Sequence, residues 1–172
     1  MKNDIRKIMP GAAVAYKDKF IFVDLWSNLL YFLDIETGES RVLTKIENEP
    51  FFHKDLFTDL VVGDDYLFCV PHDASHIVMY DLQNDEINYI ELPNSLKNCQ
   101  GAFKRAIYDK KNRELILLGY CIANIWIFSI DKKDFREIKL PISCGLYTSG
   151  IIEDDEIIIV SKATSDILEA NI

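Results

Sequence analysis

One frame recurs four times along this chain: an aliphatic residue, a strand-like run, a short polar turn, a second strand-like run, and another aliphatic residue twelve positions on. The copies are Val23 to Ile35 (VDLWSNLLYFLDI), Val70 to Leu82 (VPHDASHIVMYDL), Leu118 to Ile130 (LGYCIANIWIFSI) and Val160 to Ile172 (VSKATSDILEANI). A lone two-stranded hairpin is marginal in water. Four copies imply units that bury their apolar faces against one another.

The spacing of turn residues gives the period. Asp18, Asp65, Arg113 and Asp155 are 47, 48 and 42 residues apart, and Asp34, Asp81 and Ser129 are 47 and 48 apart. Each unit reads as four short strands, in the first unit at 12–16, 20–24, 29–34 and 40–44. Val, Ile, Phe and Tyr fill the strands, and Gly, Asn, Asp and Ser fill the turns. Residues 20–23, 67–70, 115–118 and 157–160 are almost continuously apolar, as strands covered on both faces are. No segment carries a sustained helical period, and 94–102 reads as a loop. The units run at about 12–44, 56–92, 103–140 and 147–172.

The fourth unit is one strand short. Fourth strands end in a shared phrase, Ile90-Glu91-Leu92-Pro93 and Ile138-Lys139-Leu140-Pro141, and the N-terminus carries Lys7-Ile8-Met9-Pro10. Each Pro follows the frame's last aliphatic by eleven residues, which places Met1 two positions after Ile172. A strand at 5–9 is therefore expected to complete the last unit, covering an otherwise open edge.

With the strands placed, the chain resembles a β-propeller of the broad WD40, Kelch and quinoprotein-like kind, and is similar to bacterial propellers at large. The segment Tyr31-Phe32-Leu33-Asp34-Ile35-Glu36-Thr37-Gly38-Glu39 is similar to the aliphatic, Asp, x, x, Thr, Gly turn of such blades. The sequence lacks the Gly-His to Trp-Asp pair of WD40 repeats and the Gly-Gly doublet of Kelch repeats. The resemblance implies an all-β, single-domain propeller of four four-stranded blades over 1–172, with no family chemistry attached. Three assemblies suit four blades: a closed four-bladed ring, half of an eight-bladed ring in which two chains exchange terminal strands as a homodimer, or part of a longer gene product.

Charge and cysteines narrow the partners. The net charge is -9, spread along the length, so a phosphate backbone is repelled and nucleic acid is not expected. No apolar run approaches the ~20 residues of a membrane helix, and the first residues lack the apolar core of a secretory signal, so a cytoplasmic location and no membrane partner are expected. Cys69, Cys99, Cys121 and Cys144 contain no C-x-x-C pair and read as reduced thiols.

In a propeller, the turn between second and third strands shares one face with the loop leading into each blade. His53, His72 and His76 all fall there. So do Asp24, Trp26, Asp73, Lys162 and Thr164, while the first strands add Thr58, Asp59, Lys104, Arg105, Thr148 and Ser149. Aromatic, acidic and imidazole groups around a concavity suit a sugar, peptide or small polar ligand. The ligand-binding set is thus Asp24, Trp26, His53, Asp59, His72, Asp73, His76, Arg105 and Ser149. Trp26 is either a binding aromatic or packing between blades, and Trp126, inside a third strand, reads as core. Two sets of residue types suit a metal, His53 with Cys99 and Cys144, and His72 with Asp73 and His76. Neither matches a compact zinc motif, so no metal or cofactor is expected. No G-x-S-x-G, H-E-x-x-H or Gly-rich phosphate loop appears. The reading is a non-catalytic binding or scaffold propeller for a protein, carbohydrate or small polar ligand. The alternative is a carbohydrate-active lyase or hydrolase with dispersed carboxylates in an axial pocket.

Overall fold

The computed structural model describes residues 10–25, 27–47, 49, 56–97, 99–140 and 145–172. They form fifteen strands and no helix. Sheet one contains β1 (Pro10–Tyr16), β2 (Lys19–Asp24), β3 (Leu29–Asp34) and β4 (Ser40–Lys45). Sheet two contains β5 (Phe57–Gly63), β6 (Tyr66–Pro71), β7 (His76–Asp81) and β8 (Glu86–Glu91). Sheet three contains β9 (Phe103–Asp109), β10 (Glu114–Gly119), β11 (Ile125–Ser129) and β12 (Asp134–Ile138). Sheet four contains β13 (Tyr147–Glu153), β14 (Glu156–Ser161) and β15 (Ile167–Asn171). Every sheet is an antiparallel meander in chain order. The strand expected at 5–9 lies outside the described residues.

The repeat frame has a hydrogen-bond basis. The backbone N–H of its last aliphatic residue donates to the carbonyl of the turn residue that gave the period. The pairs are Ile35 to Asp18, Leu82 to Asp65, Ile130 to Arg113 and Ile172 to Asp155, at 3.2, 2.8, 3.1 and 3.1 Å. The third-to-fourth-strand turns repeat as well. The Asp34 carboxylate accepts from the N–H groups of Glu36 and Thr37. Asp81 accepts from Gln83 and Asn84, and the Ser129 hydroxyl accepts from Lys132. Such side-chain-to-backbone bonds are why Asp and Ser recur at this position. Gly38 closes the first of these turns at φ 67, where a side chain is disfavoured.

The chain divides into two compact units, residues 1–91 and 92–172. In the first, Ile21, Val23, Leu30 and Phe32 of sheet one face Leu60, Leu67, Cys69 and Val78 of sheet two in one core. On the opposite face of sheet one, Phe22 stacks on Tyr31 with ring centroids 5.2 Å apart. In the second unit, Ile116, Leu118, Ile125 and Ile127 pack with Tyr147, Ile157 and Ile159. Leu115 and Leu117, on the other face of β10, are equally buried. The apolar runs 67–70 and 115–118 are thus strands covered on both sides, whereas Phe20 of β2 and Val160 of β14 are exposed, so the runs 20–23 and 157–160 are not covered throughout. Cys69 is fully buried and packs as a small hydrophobe, its thiol pKa pushed far up by desolvation. Trp126 is only half-buried, on the face of β11 opposite the core residues Ile125 and Ile127.

Candidate functional site

The second-to-third-strand turn of sheet two concentrates the chemistry of the first unit. β6 ends at Pro71, and the next five residues bend back to His76, where β7 begins. The turn is held from two sides. The Leu56 carbonyl accepts from the N–H of His72 at 2.8 Å and of Ala74 at 3.3 Å. The Glu49 carboxylate, with its side chain fully buried, enters the turn from the loop after β4. It accepts from the Ser75 N–H at 2.9 and 3.0 Å, from the Ser75 hydroxyl at 3.1 Å and from the His76 N–H at 3.1 Å. A buried carboxylate without such donors would be strongly unfavourable.

The same carboxylate orients His76. Nδ1 lies 3.0 Å from Glu49 Oε1 and 2.8 Å from Ser75 Oγ. Glu49 can only accept, so the arrangement selects the tautomer with the proton on Nδ1. Nε2 is then an acceptor, and it has no hydrogen bond from the described residues. The imidazole edge meets the Tyr89 ring at 6.0 Å, and the Tyr89 hydroxyl accepts from the Glu47 N–H at 2.7 Å. Nearby in the turn, His72 Nδ1 lies 3.3 Å from Asp73 Oδ1, and both side chains are about one-fifth exposed.

A repeated irregularity supports these turns. In every sheet the first strand bulges near its start, leaving one residue out of register: Gly11, Thr58, Lys104 and Thr148. Bulges bend a strand and re-aim its side chains, and they favour rims and sites. Beside each bulge of sheets two to four, the residue after the second strand bonds the residue before the first, as Tyr120 N–H to Ala102 O and Lys162 N–H to Leu146 O at 2.8 and 3.0 Å. In the second unit the Lys104 ammonium lies 5.9 Å from the Tyr120 ring centroid.

The structure brings together only part of the expected site. His72, Asp73 and His76 share one turn. Asp59 is buried on β5, beside the Thr58 bulge. Asp24 is buried at the end of β2, where its carboxylate accepts from the N–H and hydroxyl of Ser27 and so caps its own turn. Arg105 and Ser149 are exposed on β9 and β13 of the second unit. Trp26, His53 and Cys144 lie outside the described residues. Among the described residues no three His, Cys, Asp or Glu side chains are grouped to hold a metal ion. Glu49 and Ser75 were not in the expected set. Ser75 was within reach, beside His76 in the turn, but Glu49 is 26 residues away from it in a loop with no motif.

No known protein family and no curated protein matches the sequence. Solved structures do match. The computationally designed Ika4 protein superposes with a TM-score of 0.69 at 14% identity, over 96% of this chain and 92% of that one. A catalytically inactive virginiamycin B lyase from Staphylococcus aureus with quinupristin superposes at 0.67 and 14%, over 100% of this chain and 58% of that one. The fold is a β-propeller. The designed Ika8 protein gives 0.68 and 15%, and the chain spans only 46% of its length, as it spans little more than half of the lyase. At these identities the likeness carries the propeller architecture and nothing of activity.

Proposed function

We propose that the protein is a binding propeller that recognises a carbohydrate or similarly polar ligand at the end of its sheets carrying the second-to-third-strand turns. The observation that carries this reading is the Glu49–Ser75–His76 cluster. A buried carboxylate fixes one half-buried turn and orients the His76 imidazole, which leaves Nε2 as an acceptor for hydroxyl or amide donors. Such pre-organisation lowers the entropy cost of binding. The charge of -9 supports a neutral or cationic partner over nucleic acid. A glycan array tests the reading. Binding should be lost in His76→Ala with the fold intact by circular dichroism. Unchanged binding in that variant, or an array without signal, would count against it.

A second reading is catalytic. A histidine whose Nδ1 is held by a buried carboxylate and whose Nε2 is free to accept has the geometry of a general base. The lyase of similar fold supplies a compound to try, because its catalytically inactive variant was solved with quinupristin. Incubation with quinupristin, followed by chromatography, should then show product with the parent protein and none with His76→Ala. No product from either would leave the binding reading alone.

A further inference from the structure

Two thiols of the second unit fall at one place. Cys99 is half-buried in the loop before β9, and Cys121 is exposed in the turn between β10 and β11. That turn is the counterpart, in the twelve-residue frame, of the one carrying His72 and His76. The antiparallel contact of β9 with β10 runs on past the strand ends. The Tyr120 N–H donates to the Ala102 carbonyl at 2.8 Å, and the Cys121 N–H donates to the Gly101 carbonyl at 2.9 Å. Cys121 is therefore across from Gly101, which has no side chain. Cys99, two residues earlier, is the diagonal neighbour of Cys121.

Diagonal neighbours on paired segments lie about 7 Å apart. That is the upper end of the span that a disulfide bridges without backbone movement. The small remainder falls on a loop, because no described strand includes the residues between Glu91 and Phe103. Gly101 turns the chain there at φ 68, and the Leu96 carbonyl accepts from the Cys99 N–H at 2.9 Å. The two thiols also sense each other. Cys99 is pushed up first by burial and second by the charge of Cys121. Cys99 therefore keeps its proton, and the exposed Cys121 is the thiol that an oxidant reaches first.

We infer that Cys99 and Cys121 are a reversible redox pair, which closes into a disulfide and ties the loop before β9 to the β10–β11 turn. The oxidant is a low-molecular-weight disulfide. The Cys121 thiolate attacks one of its sulfurs, forms a mixed disulfide and expels one thiolate, which takes up the proton that Cys121 released. Cys99 then gives its proton to water. Its thiolate attacks the Cys121 sulfur and expels the second thiolate, which is protonated in turn. The chain loses two electrons and two protons, and the oxidant leaves as two thiols. Cys69 is fully buried within β6, and its thiol is pushed far up, so it takes no part.

Tryptic mapping of the full chain without reductant tests this, because each cysteine falls in a separate peptide: 55–97, 98–104, 114–132 and 140–162. The folded chain is equilibrated with excess oxidised glutathione and quenched with acid. Peptide 98–104 should be joined to 114–132, and the free thiols should fall from four to two. Cys99→Ser should instead hold one glutathione on 114–132, which the parent chain does not retain. Cys121→Ser should leave 98–104 reduced. Either substitution is at a position open to solvent, and an unchanged circular dichroism spectrum checks the fold. Joining of either peptide to 140–162, a bond between two chains, four thiols that stay free, or Cys99→Ser without bound glutathione would each overturn the assignment.

Discussion

Nδ1 of His76 lies 3.0 Å from Oε1 of Glu49, although the two residues are 27 positions apart and belong to different segments of the first unit. The carboxylate therefore has a structural role and a chemical one. It satisfies two backbone N–H groups of the turn, and it fixes the imidazole tautomer. Glu49→Ala should orphan those donors inside a buried pocket and cost roughly 1–3 kcal/mol for each group left unsatisfied. Calorimetry should show a clear fall in Tm. Glu49→Gln should lose less, because an amide oxygen still accepts. Long-range nitrogen–proton NMR should show the proton on Nδ1 in the parent protein and a mixture of tautomers in Glu49→Gln. A parent spectrum with the proton on Nε2 would contradict the geometry.

Two glycines of the second unit meet one carbonyl. A methyl group placed on Gly119 or on Gly145 would run into the Ile122 carbonyl oxygen. The loop before β13 is held against the β10–β11 turn by the bond from Leu146 N–H to Tyr120 O at 2.8 Å, and Ser161 Oγ donates to the Gly145 carbonyl at 3.0 Å. These anchors leave little room for relaxation. Gly145→Ala should therefore destabilise the protein by roughly 1–3 kcal/mol, the usual cost of overpacking. Gly38→Ala should act differently, through its positive φ of 67, because nothing lies near its Cβ position. Urea denaturation of the two variants separates steric from conformational cost. A neutral Gly145→Ala would mean that the loop shifts freely.

Tyr147 shows how a repeat position acquires an individual role. It occupies the same place as Phe57 and Phe103, at the start of a first strand, and all three are buried. Only Tyr147 carries a hydroxyl there, which donates to the Ala123 carbonyl. Tyr147→Phe should keep the packing and lose about 1 kcal/mol of stability. Thermal unfolding that leaves Tm unchanged would show that water replaces the hydroxyl without cost.

Most of the architecture was legible because it depends on local periodicity. The twelve-residue frame, the Asp or Ser opening the outer turns of sheets one to three and the double-faced apolar strands β6 and β10 are all short-range patterns, and each has a hydrogen-bond or burial counterpart in the sheets. The candidate site follows the turn frame at His72, Asp73 and His76, which the sequence alone places in one turn. Glu49 was not legible, because its partners are set by tertiary packing of a loop that carries no period. Asp24 has a role in the fold that the sequence did not show. Its carboxylate accepts from Ser27 and stabilises the turn itself. The bulges were also invisible in sequence, since the residues at the shared register position, Gly11, Thr58, Lys104 and Thr148, range from glycine to lysine.

The outer turns predict a pH dependence. Asp34 is held below the ordinary carboxylate range, chiefly by the backbone N–H of Thr37. Asp81 is held below it as well, chiefly by the Asn84 side-chain amide at 3.0 Å. A carboxylate depressed in the folded state binds fewer protons than in the unfolded chain, so stability rises with pH through the interval between the two pKa values. The contribution is complete above the unfolded value of about 3.9 and disappears as pH falls through the lower folded value. Carboxyl carbon NMR should find both groups titrating below the ordinary aspartate value of about 3.9. Asp34→Asn should flatten the acid limb of a urea-midpoint profile while leaving the neutral region little changed, because the Asn oxygen still accepts from Thr37. An Asp34 that titrates at or above the ordinary value would show that the turn does not hold its carboxylate in solution.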